Sequence, residues 1–446
     1  MKLKRFLLPI FTVAFLVLLT FFAVTEGYEY TEAELADEID RLIRLENYDL
    51  STLDEEGLRE VERRTEETQH AIDALPAREG VYITSMAIIC GFYLVAVVWM
   101  YIGKVRFSSL ISAVCILLGI GTTYRSLFLL ESSYTVMLCI AIAACIAVYV
   151  VWRRFPEASD VLYYVIVGAV VALLLANLIF GTEINGARLW IYIGSFSLQP
   201  GEFVKLLLIL LGALSYRNMR RALIYCATAM VSCATLLLLH DLGNTAAIFL
   251  TFIFVTYFLF DSKKLSGSII AAAATALSVA VAILPYAQDR FAAWGKAMTP
   301  EGSVQQADTI KAVIFGGVGG FGFDFETVST YVTSKYASAS DTAIAGIMAT
   351  FGIPVMALVI LAYGAVVIQP AQNRAVHPSS HIILIQISVL TTVQVLLNFL
   401  GSMDLLPFTG IVAPLISEGG SALIAFMSMM GLAGAAICPA LKPKKE

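Results

Sequence analysis

Asp341 stands where a polar, glycine-rich stretch, 288–340, gives way to an almost wholly apolar run, 342–368. A carboxylate at the mouth of a membrane helix loses hydration, so it marks a functional candidate. Asp also caps helix N-termini well, and position alone leaves both roles open. Three other stretches carry polar groups into apolar surroundings, and the 287–340 loop adds a further set. In 181–202, Glu202 and Lys205 lie three apart and share one helical face, where they can neutralise each other. Arg188 adds a cation able to hold a phosphate, and Asn185-Gly186 suggests a turn. In His240-Asp241-Leu242-Gly243-Asn244-Thr245, the chain breaks between two apolar runs. Asp241 there either binds a cation or satisfies freed backbone N–H groups, as happens where a broken membrane helix lines a cavity. A lone His240 is more often hydrogen-bonded than metal-bound. The 287–340 loop carries Arg290, Trp294, Lys296 and Gln305, then Gly316, Gly317, Gly319, Gly320 and Gly322. It lacks GK[ST] and is no P-loop; its glycines allow tight turns and close backbone approach. Finally, Pro407, Gly410, Pro414, Gly419 and Gly420 interrupt the last apolar run, and Gln394 and Asn398 precede it on one helix face.

The elements that must position these residues follow from composition. Of 446 residues, 59% are hydrophobic and 14% charged. Soluble domains hold about 25% charged residues, so this is an all-α polytopic membrane protein. Twelve apolar runs read as spans: 6–24, 81–101, 107–126, 133–152, 161–180, 202–216, 222–239, 243–260, 268–286, 342–368, 380–401 and 411–437. The first exceeds a signal-peptide core and is expected to be retained. Basic residues fall in alternate loops: Lys104 and Arg106; Arg153 and Arg154; Arg217, Arg220 and Arg221; Lys263 and Lys264; Arg374; and Lys442, Lys444 and Lys445. With Lys2, Lys4 and Arg5 they place both termini in the cytoplasm and the Asp341 loop outside. Trp190 and Tyr192 suit an interfacial aromatic belt. The acidic 26–80 segment, with Leu35, Ile39 and Leu42 at helical spacing, predicts two short amphipathic helices, the second starting near Ser51 and ending at Pro76–Gly80. A solvated spacer is the alternative. The seven cysteines lie in apolar runs and form no CxxC pair, so they read as small core residues.

Taken in order, the polar stretches resemble the SEDS family (shape, elongation, division and sporulation). N-G-A-R-x-W…Q-P-x-E-x-x-K is met by Asn185, Gly186, Ala187, Arg188, Trp190, Gln199, Pro200, Glu202 and Lys205. D-L-G-x-T is met from Asp241 to Thr245, with His240 in place of the family's Pro. Gln305, Gly316, Gly317, Gly320 and Gly322 meet the glycine motif; Ser340, Asp341, Ala345 and Gly352 meet T-D-x-x-x-A-x(6)-G. Pro407, Thr409, Gly410, Pro414, Ser417, Gly419, Gly420 and Ser421 meet the last motif. The resemblance covers 107–437, a ten-helix core; 1–106 reads as an added N-terminal module and 438–446 as a basic cytoplasmic tail.

The resemblance implies a bacterial cytoplasmic-membrane glycosyltransferase that polymerises lipid II at the outer face and releases undecaprenyl pyrophosphate. Its implied partners are lipid II, membrane lipid and a class B penicillin-binding protein, with no nucleic acid. Asp341 takes the position of the family's essential aspartate, as general base for the acceptor's 4-hydroxyl. Arg188, Glu202, Lys205, Arg290, Gln305, Ser417 and Ser421 fall around substrate, and Arg188, Lys205, Arg290 or a divalent cation (Mg²⁺ or Mn²⁺) would meet the pyrophosphate. Two departures stand out. The family's Glu and His before the aspartate are absent from Lys335-Tyr336-Ala337-Ser338-Ala339-Ser340, and Glu418 replaces an aromatic. A non-catalytic scaffold for a penicillin-binding protein and a lipid-linked precursor flippase are the alternatives.

Overall fold

The computed structural model describes residues 4–28, 55–103, 108–127, 132–154, 159–184, 186–194, 196–322, 339–369 and 378–437. Helices dominate because no water reaches the bilayer core, so each backbone N–H and C=O must pair within its own segment. In chain order they are α1 (Lys4–Phe22), α2 (Glu55–Gly103), α3 (Ser108–Ser126), α4 (Ser132–Arg154) and α5 (Asp160–Phe180). After three short strands come α6 (Pro200–Leu214), α7 (Met219–Leu238), α8 (Leu242–Leu259) and α9 (Lys263–Ile283). The rest are α10 (Pro285–Ala293), α11 (Val304–Gly316), α12 (Ala343–Val367), α13 (Pro378–Ser402) and α14 (Gly420–Ile437).

Each of the twelve apolar runs contains a helix, and eleven helices among the described residues are long and apolar enough to cross a membrane. The exception is α6, whose 15 residues span only about 22 Å at 1.5 Å each. It is buried along most of its length, so protein rather than lipid surrounds it. The core gathers around α3, flanked by α1, α2 and α12, while α14 packs tightly along α4. There, a β-carbon at Gly431 would come 2.1 Å from the Cys145 carbonyl oxygen, so only glycine lets the two backbones approach this closely.

The structure corrects several expectations. α2 runs unbroken through Pro76 into the membrane, so the acidic segment's second half is one helix with the second span. Continuation into hydrocarbon, where the backbone must stay helical, outweighs the single hydrogen bond that proline removes. The expected first helix of that segment and the basic tail lie outside the described residues. The 181–202 loop is a three-stranded antiparallel sheet of β1 (Thr182–Ile184), β2 (Ala187–Ile193) and β3 (Phe196–Leu198). The 287–340 loop contains most of α10 and all of α11. The last span starts at Gly420 rather than 411, because Pro414 and the positive-φ residues Gly410, Leu415 and Gly419 keep the chain before it out of a helix.

Candidate active site

A cavity of about 680 Å³ opens where β2, the α7–α8 break, α10, α11 and the non-helical 403–419 segment meet above α12. Its wall carries Asp341, Glu202, Asp241, Glu418, Arg290, His240 and Gln305. Two polar atoms of that wall, Gln305 Nε2 and Thr409 Oγ1, are buried and have no hydrogen-bond partner among the described residues. Buried polar atoms are nearly always paired, so an unpaired set in a cavity wall fits a polar ligand.

Asp341 does not cap α12. Thr342 holds the N-cap position, without a side-chain cap bond. The backbone around Asp341 is fixed from below instead. Asn398 Nδ2 donates to the Asp341 carbonyl at 2.9 Å and to the Ile411 carbonyl at 2.8 Å, tying both segments to α13. Ser402 Oγ donates to the Asp341 carbonyl at 3.3 Å. Glu418 N–H donates to the Ala339 carbonyl at 2.8 Å. The Ser417 hydroxyl donates to the Ser340 carbonyl and accepts from Ala413 N–H at 2.8 Å. On its open side, Asp341 Oδ2 lies 3.4 Å from where a β-carbon on Gly410 would stand, and Gly410 has φ +64°. Glycine suits that backbone conformation, and a β-carbon there would only touch the carboxylate at ordinary contact distance. Burial pushes the Asp341 carboxyl up to about 6, against the opposing pull of a Ser340 hydrogen bond and the Arg290 charge. Its proton affinity therefore falls near neutrality, where a group can both take and release a proton.

Arg290 reaches the cavity from α10, donating to the Phe408 carbonyl at 3.2 Å. Asp404 holds the turn after α10 in place: its two carboxylate oxygens accept from Gly295 N–H and Ala297 N–H, each at 2.9 Å. Gln306 Nε2 adds a bond to the Gly401 carbonyl at 2.6 Å. Gly320 seats the loop after α11 against α12, because a β-carbon there would meet the Thr350 carbonyl oxygen at 2.3 Å.

Below the cavity runs a buried chain of charges. Lys205 Nζ donates to Glu202 Oε1 at 2.7 Å and to Asn244 Oδ1 at 2.8 Å. Asn244 in turn donates to both carboxylate oxygens of Asp241, from N at 2.9 Å and from Nδ2 at 2.8 Å. Asp241 caps α8, its carbonyl accepting from Thr245 Oγ1 at 2.6 Å. Burial raises the Asp241 carboxyl pKa, while the Asn244 bonds and Lys205 pull it down. Asp241 and Thr245 are thus joined in a structural network. His240 has φ +64°, a conformation closed to proline, and its ring lies 4.3 Å from Tyr286 and bonds to the Gly186 carbonyl.

Among the residues singled out from sequence, Asp341, Glu202, Asp241, Arg290 and Gln305 converge on the cavity. Arg188 does not: its β2 neighbours Ala187 and Leu189 line the wall, while Arg188 pairs in the open with Glu183 at 3.2 Å. Lys205 is buried and already paired. Ser417 and Ser421 commit their hydroxyls to backbone; Ser421 Oγ accepts from Gln199 N–H at 3.0 Å and donates to the Ser197 carbonyl at 3.2 Å. Trp190 lines the cavity. Asp404 carried no sequence signal beyond its place at the start of the proline- and glycine-broken segment. Among the described residues no three His, Cys, Asp or Glu side chains lie close enough to hold a metal ion by themselves.

A family model for FtsW, RodA and SpoVE, described as cell cycle protein, matches residues 85–436. The chain belongs to this family. The match begins inside α2 and takes in every element of the cavity. Among relatives, a probable peptidoglycan glycosyltransferase FtsW of Bacillus subtilis (strain 168) is 27% identical over 281 residues, covering 58% of this chain and 69% of that one. A peptidoglycan glycosyltransferase RodA of Mycobacterium bovis is 26% identical over 282 residues, covering 58% of each chain. A solved chain from a peptidoglycan synthase complex that coordinates polymerization and crosslinking shares the fold. Its TM-score is 0.56 at 22% identity, over 73% of this chain and 96% of that one. Like other family members, this is a multi-pass membrane protein.

Proposed function

We propose that this FtsW/RodA/SpoVE member is a peptidoglycan glycosyltransferase, polymerising lipid II at the outer face of a bacterial cytoplasmic membrane. The observation that carries the reading is a buried carboxylate, Asp341, with its pKa raised to about 6, on a large cavity that also holds Arg290. Ionised Asp341 takes the proton of the acceptor sugar's hydroxyl. The hydroxyl oxygen then bonds to the donor's anomeric carbon, and the bond from that carbon to the diphosphate oxygen breaks. The departing diphosphate carries the electron pair, and the Arg290 guanidinium lies on the cavity wall to balance its charge. A positioned base of this kind supplies about 10²–10⁴-fold. Orientation is supported by charge. The described basic residues Arg153, Arg154, Arg217, Arg220, Arg221, Lys263 and Lys264 gather at the helix ends opposite the cavity.

The test is polymerisation of labelled lipid II by the purified full-length protein, alone and with a class B penicillin-binding protein, with Mg²⁺ or Mn²⁺ in the buffer. Polymer that disappears in Asp341→Ala is the expected result. Folded wild-type protein that makes no polymer under any of these conditions sinks the reading and points to a scaffold.

A further inference from the structure

The cavity beside Asp341 adjoins a second hollow of about 330 Å³, and the two share Trp190, Ser340 and Glu418 in their walls. Arg125, from the end of α3, lines this second hollow and is only 2% exposed. Its Nε donates to the Gly121 carbonyl at 3.0 Å and its Nη2 to the Tyr134 hydroxyl at 2.8 Å. The guanidinium carbon lies 4.1 Å from the centre of the Tyr134 ring. Among the described residues no ion pair to a carboxylate holds Arg125, although Glu418 lines the same hollow. A buried cation without a counter-ion is costly, and here its fork is held rigid by two bonds with cavity beside it. That is the construction of an oxyanion site: guanidinium takes phosphate or carboxylate with charge-assisted, paired hydrogen bonds.

We propose that Arg125 anchors a second anion subsite, which holds the diphosphate of a second lipid-linked saccharide, the one that is not cleaved. The proposal rests on the polymerase reading above. Transfer between two lipid-carried sugars brings two diphosphates to one site, and only one leaves. Arg290 is the only Arg or Lys among the described residues lining the first cavity. The other diphosphate stays attached to the acceptor, at the far end of its saccharide from the attacking hydroxyl. The second hollow begins at Ser340, next to the base, and extends away from it toward α4 and α14. Met137 and Leu423 add apolar lining there, and the neighbouring α4 residues Val136 and Ile140 are exposed on the molecule's outside, a surface suited to an isoprenoid tail. Glu418 sits at the junction, lining both hollows.

The test reads binding without turnover. Purified full-length Arg290→Gln protein, in which the first cavity's cation is removed, is titrated with undecaprenyl diphosphate and separately with a phosphate-free muramyl pentapeptide. Tryptophan fluorescence follows the titration, since Trp190 lines both hollows. The expected result is saturable binding of the lipid diphosphate, weakened about tenfold or more by adding Arg125→Gln and less by Arg125→Lys, which keeps charge but loses the fork. Equal affinity with and without Arg125→Gln overturns the proposal. So does the absence of diphosphate binding, or a loss confined to the peptide, which would assign the site to a carboxylate. If Arg125→Gln does not fold, Arg125→Lys decides: weaker binding at an unchanged unfolding temperature supports the subsite, and unchanged binding removes it. Wild-type protein that binds the diphosphate yet makes no polymer would overturn the polymerase reading while leaving the anion site standing.

Discussion

Asp341 is held at a cost that has a measurable sign. Burial raises its pKa from 3.8 to about 6, so at neutral pH the folded protein carries a carboxylate that would be better solvated unfolded. Its ionisation therefore opposes folding above about 6, and the penalty fades as pH falls through 6 toward 3.8. Asp341→Asn is expected to raise the apparent unfolding temperature at a pH of about 7.5, with the difference from wild type closing by a pH of about 4. An unchanged gap across that range would remove the burial argument. The same substitution should lower polymerisation by about 10²–10⁴-fold. The wild-type rate should lose activity on the acid side with a midpoint near 6, because only the ionised form accepts a proton. Lys205 behaves differently, as a paired charge beneath the site. Lys205→Met leaves Glu202 buried and unpaired and should lower stability by about 3–5 kcal/mol, read by denaturant unfolding; adding Glu202→Gln should recover part of it.

At the scale of elements, Asn398 is the joint between α13, the approach to α12 and the 403–419 segment. Its side chain donates to both the Asp341 and Ile411 carbonyls, so its loss frees the base and the opposite wall together. Asn398→Leu should lower kcat far more than it raises KM and should shift the acid midpoint of the rate profile, which a merely structural defect would not move. Asp404 should act on binding instead. Asp404→Ala releases two backbone N–H groups of the turn that follows α10, and KM should rise as Arg290 loses its place. The sequence marked Asn398 as facing the bundle, because polar groups on a span rarely face lipid. It did not show what Asn398 holds, since its acceptors come from residues 57 and 13 positions away.

For the whole molecule, alternating charge and parity predict which face is outside. A single cysteine placed at Ser303, beside the cavity, should react with a membrane-impermeant maleimide on intact cells. One placed at Arg220 should react only after permeabilisation. Labelling at both, or the reverse pattern, would move the cavity to the other face. The second hollow belongs to this scale too, because Arg125 and Ser197 meet only when α3 and β3 are brought to the same wall.

The sequence alone determined the membrane class, the helical runs and the family. Each follows from local chemistry: apolar stretches long enough to span, basic loops between them, and motif residues in a fixed order. It also picked out Asp341, since a carboxylate beside a long apolar run stands out without any knowledge of packing. Tertiary structure alone decided which cations face the reaction. Arg188 and Arg290 are both exposed arginines near apolar runs, yet β2 leaves one paired in the open, while the Asp404-pinned turn brings the other to the cavity. It likewise buried Lys205 with Glu202 and, among the described residues, gave Arg125 a carbonyl and a tyrosine hydroxyl as hydrogen-bond partners, because a side chain's partner depends on which distant segment the fold lays against it.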